Sequence, residues 1–215
     1  MRIIPASFSI ESEIDGDKIL KWLELCARNC YKSEDGVDDD KTEVFLKKRI
    51  LDTGHHAMLE HHMISVRFIV DRGVTHEIVR HRLASYAQES TRYCNYSKLK
   101  FDQQITVVDI RPYCKTGKGR EIWMDLQQAS EKAYFAMLEA GEKPQIARSC
   151  LTNSLKAEII MSANVREWMH FFKMRASKYA HPQMREVACP LLREFRTKIP
   201  VIYDEVGDPD CEVAV

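Results

Sequence analysis

The sequence predicts an α+β fold, and two observations carry that expectation. Ile64, Val66, Phe68 and Val70 alternate with Ser65, Arg67, Ile69 and Asp71, the period of a strand with one apolar face. Elsewhere apolar residues recur at helical spacing, most clearly over 17–31, 121–140, 164–177 and 183–198. No repeat and no low-complexity linker interrupts the chain. Residues 1–215 therefore read as a single domain, with a loosely ordered acidic tail after Tyr203.

The elements follow in order. Residues 1–10 alternate loosely and predict a first strand. Ile19, Leu20, Trp22, Leu23, Leu25 and Cys26 predict a helix over 17–31. The acidic, turn-rich stretch 33–41 predicts a loop. Thr42 is a candidate cap for a helix that runs to Asp52 and ends at Gly54. Gly73 is expected to break the strand at 64–71, and 75–84 to form a short helix. Residues 85–103, rich in hydroxyls and tyrosines, predict an ordered loop. A short strand is expected over 105–110, a long helix over 121–140 ending near Gly141, and another helix from Pro144. A strand over 156–162 and helices over 164–177 and 183–198 complete the chain, with Pro182 suited to a first turn.

Composition narrows the function classes. The chain has 215 residues, 45% hydrophobic and 30% charged, enough for one substantial core or two small ones. Its 32 Lys+Arg balance 32 Asp+Glu, which argues against general attraction to nucleic acid or an anionic membrane. Any positive site is local. The segment MRIIPASFSI has no basic stretch followed by an apolar run, and no apolar stretch is long enough to span a bilayer. The seven cysteines are scattered and form no CxxC, so reduced thiols in a cytoplasmic protein are expected.

The densest chemistry lies in RHRLASYAQESTRY. Arg80, His81 and Arg82 stand in succession, and Ser85, Ser90 and Arg92 follow. Arginine presents a planar fork of donors that fits phosphate and carboxylate. The plain reading of Arg80 and Arg82, a solvated helix edge paired with Glu77 or Glu89, is weakened by the hydroxyls and third guanidinium nearby. A pocket for phosphorylated ligands is the stronger expectation. A second basic set lies downstream: Arg148, then Arg166, His170 and Lys173 on one face of the helix NVREWMHFFKMR, with Arg175 at its end. Trp168, Phe171 and Phe172 are assigned to the core.

The histidines at 55, 56, 61, 62, 76 and 81 raise the question of a metal. A metalloprotease helix needs HExxH, but Arg80 holds the second ligand position after His76-Glu77 and His81 lies one residue beyond. HxxEH fails too, because Ala57 stands first before Glu60-His61. No metal ligand is assigned. His55 and His56 have a plain reading as loop histidines favoured by the preceding helix terminus. GxGxxG and GxxxxGK[ST] are absent, as are the glycines of a nucleophile elbow around Ser90.

On these residues the sequence resembles the flavin-dependent thymidylate synthases (ThyX). Arg80-His81-Arg82, seven residues, then Ser90 matches the family hallmark. TGHHAMLEH and ANVREWMHFFKMR are similar to two further family segments, in the family order, over nearly the whole chain.

The resemblance implies a mixed or antiparallel sheet flanked by helices and a homotetramer with active sites between subunits. It also implies FAD, with NADPH and methylenetetrahydrofolate as co-substrates, and dUMP as the substrate converted to dTMP. Under it, Arg80, His81 and Arg82 meet flavin and nucleotide, and Asn164 and His170 contact flavin. Gln88, Glu89, Ser90, Thr91 and Arg92 form the dUMP loop, with Ser90 and Arg92 on phosphate and Gln88 reaching the cofactor as well. Arg148 adds a phosphate contact, Glu77 lies at the substrate, and Arg175 lies against the pyrimidine, where a guanidinium stabilises an enolate-like charge. His55 matches a histidine near flavin and folate.

Three positions depart from the usual family pattern: Glu77 where Gln is common, Ala87 where Asn is common, and His56-Ala57 where Glu-Thr is common. They leave open a related C5 methyl- or hydroxymethyltransferase acting on UMP or a cytidylate. A flavin- or nucleotide-binding protein without catalysis is the reading from another class. A carboxylate at Glu77 would repel a phosphate unless an arginine intervenes.

Overall fold

A computed structural model describes residues 1–208 and Cys211. The 64–71 alternation becomes the nine-residue β3 (Met63–Asp71). Its inward residues Ile64, Val66, Phe68 and Val70 are fully buried. β3 lies between β2 (Ser7–Ile10) and β6 (Lys156–Asn164), and β4 (Ala84–Gln88) pairs with the far side of β6. All three pairings are antiparallel, with Phe68 opposite both Phe8 and Ile159. A separate parallel pair joins β1 (Arg2–Ile4) to β5 (Thr106–Val108). The expected first strand is therefore two strands in different sheets. Pro5 between them lacks the N–H that a continuous ladder needs.

Helices α1 (Gly16–Asn29), α6 (Val165–Arg175) and α7 (Pro182–Lys198) cover the apolar face of the four-stranded sheet. Trp168, Phe171, Phe172 and Phe195 form one aromatic stack with Phe68 and Tyr203. Burial of such side chains contributes roughly 2–3 kcal/mol each. A second cluster forms around α4 (Gly117–Glu139), where Trp123 and Tyr134 pack with Tyr96, Ile105, Val107 and Leu155. Gly141, at φ +93°, ends that helix as expected. The short α5 (Pro144–Ala147) and α8 (Pro200–Tyr203) complete the set.

Several boundaries differ from expectation. Thr42 does not cap. It is the first residue of α2 (Thr42–Leu46), which runs on as a wider turn over Lys47–Leu51 before Gly54 at φ +74°. The strand ends at Asp71, just before Gly73 as expected, and Gly73 sits in the first turn of α3 (Arg72–Ile78), capped by Asp71 Oδ1 on the Val74 N–H at 2.7 Å. The helix expected over 75–84 therefore starts earlier and ends earlier. Part of the expected 85–103 loop is β4, which accepts hydroxyl side chains because it is the sheet edge.

The tail past Tyr203, expected to be loose, is held as far as Asp208. Arg196 donates to the carbonyls of Tyr203, Val206 and Asp208. Cys211 forms a disulfide with Cys189, which corrects the reduced-thiol expectation for that pair. Among the described residues no helix is long and apolar enough to cross a membrane.

Candidate functional site

Arg80-His81-Arg82 lies in the turn between α3 and β4, not on the helix. Tyr86, on β4, fixes that turn by donating its hydroxyl to the carbonyls of Ile78 (2.9 Å) and His81. The turn points its three side chains differently. Arg80 and Arg82 are exposed. Among the described residues their guanidiniums carry no hydrogen bond or ion pair, so neither makes the pairing with Glu77 or Glu89. His81 turns inward and is 3% exposed.

His81 joins two residues of α6. Its Nδ1 lies 3.2 Å from Glu167 Oε1, and its Nε2 accepts from Arg175 Nε at 3.0 Å. Arg175 also donates from Nη1 to Glu77 Oε2 at 2.8 Å and from Nη2 to the Glu77 carbonyl at 3.0 Å. The partner of Glu77 is therefore Arg175. It is also the arginine that a carboxylate in this position requires.

Burial first, then the charges of Arg175 and His170, push the His81 pKa down to about 4. At neutral pH the ring is uncharged, so its contact with Glu167 is a hydrogen bond and not an ion pair. Burial also raises the Glu167 carboxyl and, helped by the Glu167 charge, pushes Tyr86 up to about 12.

Ligating atoms of His81, Glu167 and His170 lie within 4.8 Å of one another. Both His81 nitrogens are already engaged, one of them by a guanidinium, which repels a cation. The grouping is a hydrogen-bonded cluster. His170 is exposed on the face shared with Arg166 and Lys173, and its ring meets His81 edge-on at 5.4 Å. Asn164 caps α6 through the Glu167 N–H at 2.8 Å.

His55 is placed elsewhere. It lines a cavity of about 600 Å³ between α1 and α2, walled by Tyr31, Phe45, Ile50 and Met58 with Arg28 and Arg49. Apolar walls with two guanidiniums suit a flat aromatic ring with polar edges.

The loop after β4 divides. Gln88 donates to Thr75 Oγ1 at 3.0 Å. Glu89 is bound to Lys156 at 2.7 Å and accepts from the Tyr96 hydroxyl, so its carboxylate is spent inside the fold. Ser90 Oγ accepts from the Arg92 N–H, and the Arg92 guanidinium lies over the Tyr93 ring. Thr91 is buried and accepts from Arg148 Nη1 at 3.1 Å. These two residues line a second cavity of about 410 Å³, together with Arg72, Ser149, Thr152 and Asn153. Among the described residues no carboxylate lines it, and the Arg72 guanidinium is unpaired. Two guanidiniums with hydroxyls make an anion pocket.

Two residues of this arrangement escape a reading of the sequence. Glu167 stands three residues after the helix-capping Asn164, the spacing of a capping box, which assigns its carboxylate to the helix end. The structure spends it on His81. Arg72 carried a weak signal, a cation directly after a strand.

The profile of the family described as thymidylate synthase complementing protein matches residues 16–201. A flavin-dependent thymidylate synthase of Geobacter sulfurreducens is 32% identical over 195 residues, covering 87% of this chain and 81% of that protein. Another, of Corynebacterium glutamicum, is 29% identical over 218 residues, covering 94% and 84%. Among solved structures, the UMP/dUMP methylase PolB of Streptomyces cacaoi, bound to 5-Br dUMP, superimposes with a TM-score of 0.75. It is 18% identical and covers 95% of this chain and 96% of that one, a likeness of fold.

Proposed function

Because the chain belongs to the thymidylate synthase complementing protein family, the flavin-dependent thymidylate synthases, we propose that it methylates dUMP to dTMP. As a family member it is a flavin-dependent methyltransferase. FAD is the flavin in this reading, NADPH the reductant and methylenetetrahydrofolate the carbon donor. The observation that carries it is Arg175, fixed by Glu77 and His81 with three of its N–H groups engaged. Guanidinium has five donors, so two remain for a ligand.

The residues present fit these ligands. Glu77 and Arg175 together offer an acceptor beside a donor, which complements the N3–H and O4 edge of uracil. The remaining donors stabilise negative charge on O4 as the ring carbon becomes nucleophilic. Arg72, Thr91 and Arg148 supply an anion pocket for the nucleotide phosphate, and Ser90 and Arg92 stand on the same loop. The unpaired Arg80 and Arg82 suit a pyrophosphate, Asn164 and His170 lie at the start and on the exposed face of α6, and the His55 cavity suits a flat ring. Flavin, when bound, supplies the hydride, and the protein orients rings and neutralises charge.

The His55 cavity and the Arg148 cavity share no lining residue, and neither includes Arg175. In this reading the composite site is assembled from more than one chain. Tyr31, Leu83, Tyr93, Leu99 and Tyr179 expose 70–87% of their surface, which suits burial between subunits of a homotetramer. The deciding assay is tritium release from C5-labelled dUMP with NADPH and methylenetetrahydrofolate, on protein whose visible spectrum shows flavin. Release is expected with dUMP and not with UMP or dCMP. A colourless protein, or no release, sinks the proposal.

A further inference from the structure

Arg175 is the last residue of α6, and a free arginine side chain there samples many rotamers. The structure removes that freedom with acceptors on three different nitrogens. Two of those contacts come from Glu77, whose carboxylate and carbonyl accept in any protonation state that leaves the carboxylate charged. The third depends on which His81 nitrogen bears the proton. An imidazole accepts at Nε2 only in the Nδ1–H tautomer. The other tautomer, or the imidazolium, would set N–H against N–H at 3.0 Å. Among the described residues only Glu167 contacts Nδ1 at hydrogen-bond distance, and a carboxylate accepts without donating.

We propose that His81 and Glu167 are positioning residues for Arg175: Glu167 fixes the Nδ1–H tautomer of His81, and the Nε2 lone pair so exposed holds the Arg175 Nε–H. The assignment rests on the proposed role of Arg175 at the pyrimidine. The backbone serves the same end. Tyr86 pins the His81 carbonyl, and the Phe171 ring lies 5.0 Å from the imidazole. His81 reaches α6 at Glu167 and Arg175 from a separate turn, so the donor geometry follows from how that turn packs on the helix. A leucine at 81 would pack beside Phe171 but leave the Glu167 carboxylate and the Arg175 Nε–H without this partner.

The test compares His81→Gln, His81→Leu and Glu167→Gln in the full chain loaded with flavin. Glutamine keeps an acceptor near the place of Nε2, whereas leucine keeps only bulk. His81→Leu is expected to lower kcat for tritium release about a hundredfold, and His81→Gln by less than about tenfold. Rates are compared per bound flavin, read from the visible spectrum of each variant. The ¹⁵N spectrum of labelled histidine should show His81 as the Nδ1–H tautomer, mixed with the other in Glu167→Gln. Equal losses in the leucine and glutamine variants, or an Nε2–H ring in wild type, overturn the proposal. If the wild-type protein itself releases no tritium, the functional reading fails. The relay is then still decided by the ring tautomer and by hydrogen exchange at the Arg175 Nε–H. That exchange should be slow in wild type and His81→Gln and fast in His81→Leu.

Discussion

At the scale of single residues, the proposed reaction rests most heavily on Arg175. Replacing it by alanine removes donors aimed at developing charge, a change that costs about 10²–10³ in kcat per donor lost. Arg175→Ala should therefore abolish most tritium release while the protein stays yellow, and a variant that keeps wild-type turnover would remove Arg175 from the site. The residue types of the proposed site were legible in the sequence, since RHR, Ser90, Arg148 and Arg175 all stand out as anion-directed. Their division of labour was not. Arg80 and Arg82 face solvent while His81 between them is buried, because backbone turns, not sequence adjacency, set the direction of side chains.

The same buried histidine has a measurable cost in acid. Its folded pKa, about 4, lies below the ordinary 6.5, so the unfolded chain binds more protons between those values. Stability from His81 is fully present above pH 6.5 and is lost as pH falls towards 4. The loss between pH 7 and pH 5 is about 2 kcal/mol. Glu167, whose carboxyl is raised by burial, works in the opposite direction, so the comparison must be differential. Denaturant unfolding at both pH values should show a smaller acid loss in His81→Gln than in wild type, and equal losses would contradict a buried neutral ring.

At the scale of elements, the strong periodic segments were read correctly and their ends were not. β3, β6, α1, α4, α6 and α7 all lie within a few residues of expectation. The helix after β3 was placed three residues late because its start is set by Asp71, a strand residue acting as a cap. Its end is set by Tyr86, which captures the Ile78 carbonyl from another element. The joint between α1 and α7 carries a sharper prediction. A Cβ at Gly16 would fall 2.0 Å from the Lys198 carbonyl oxygen, a backbone atom that cannot swing aside. Gly16→Ala should cost about 1–3 kcal/mol. A urea midpoint unchanged from wild type would show that the two helices separate more easily than this packing implies.

At the scale of the whole molecule, the parts of the proposed site are dispersed. His55 sits on one cavity, Arg72 and Arg148 on another, and Arg175 in a third place. Light scattering on the purified protein should give about four times the 25.0 kDa of one chain. A monomer that turns over dUMP would refute the shared-site proposal. The sequence by itself determined the α+β class, the apolar faces of the main elements and the chemical types gathered in the proposed site. Those depend on periodicity and on functional groups, which are local properties. Only the tertiary structure decided that Glu77 belongs to Arg175, that Glu167 serves His81 and not its own helix end, and that Glu89 is spent on Lys156. Each of those pairs joins residues on separate elements, so which carboxylate meets which cation is settled by how strands and helices pack, and spacing along the chain does not encode it.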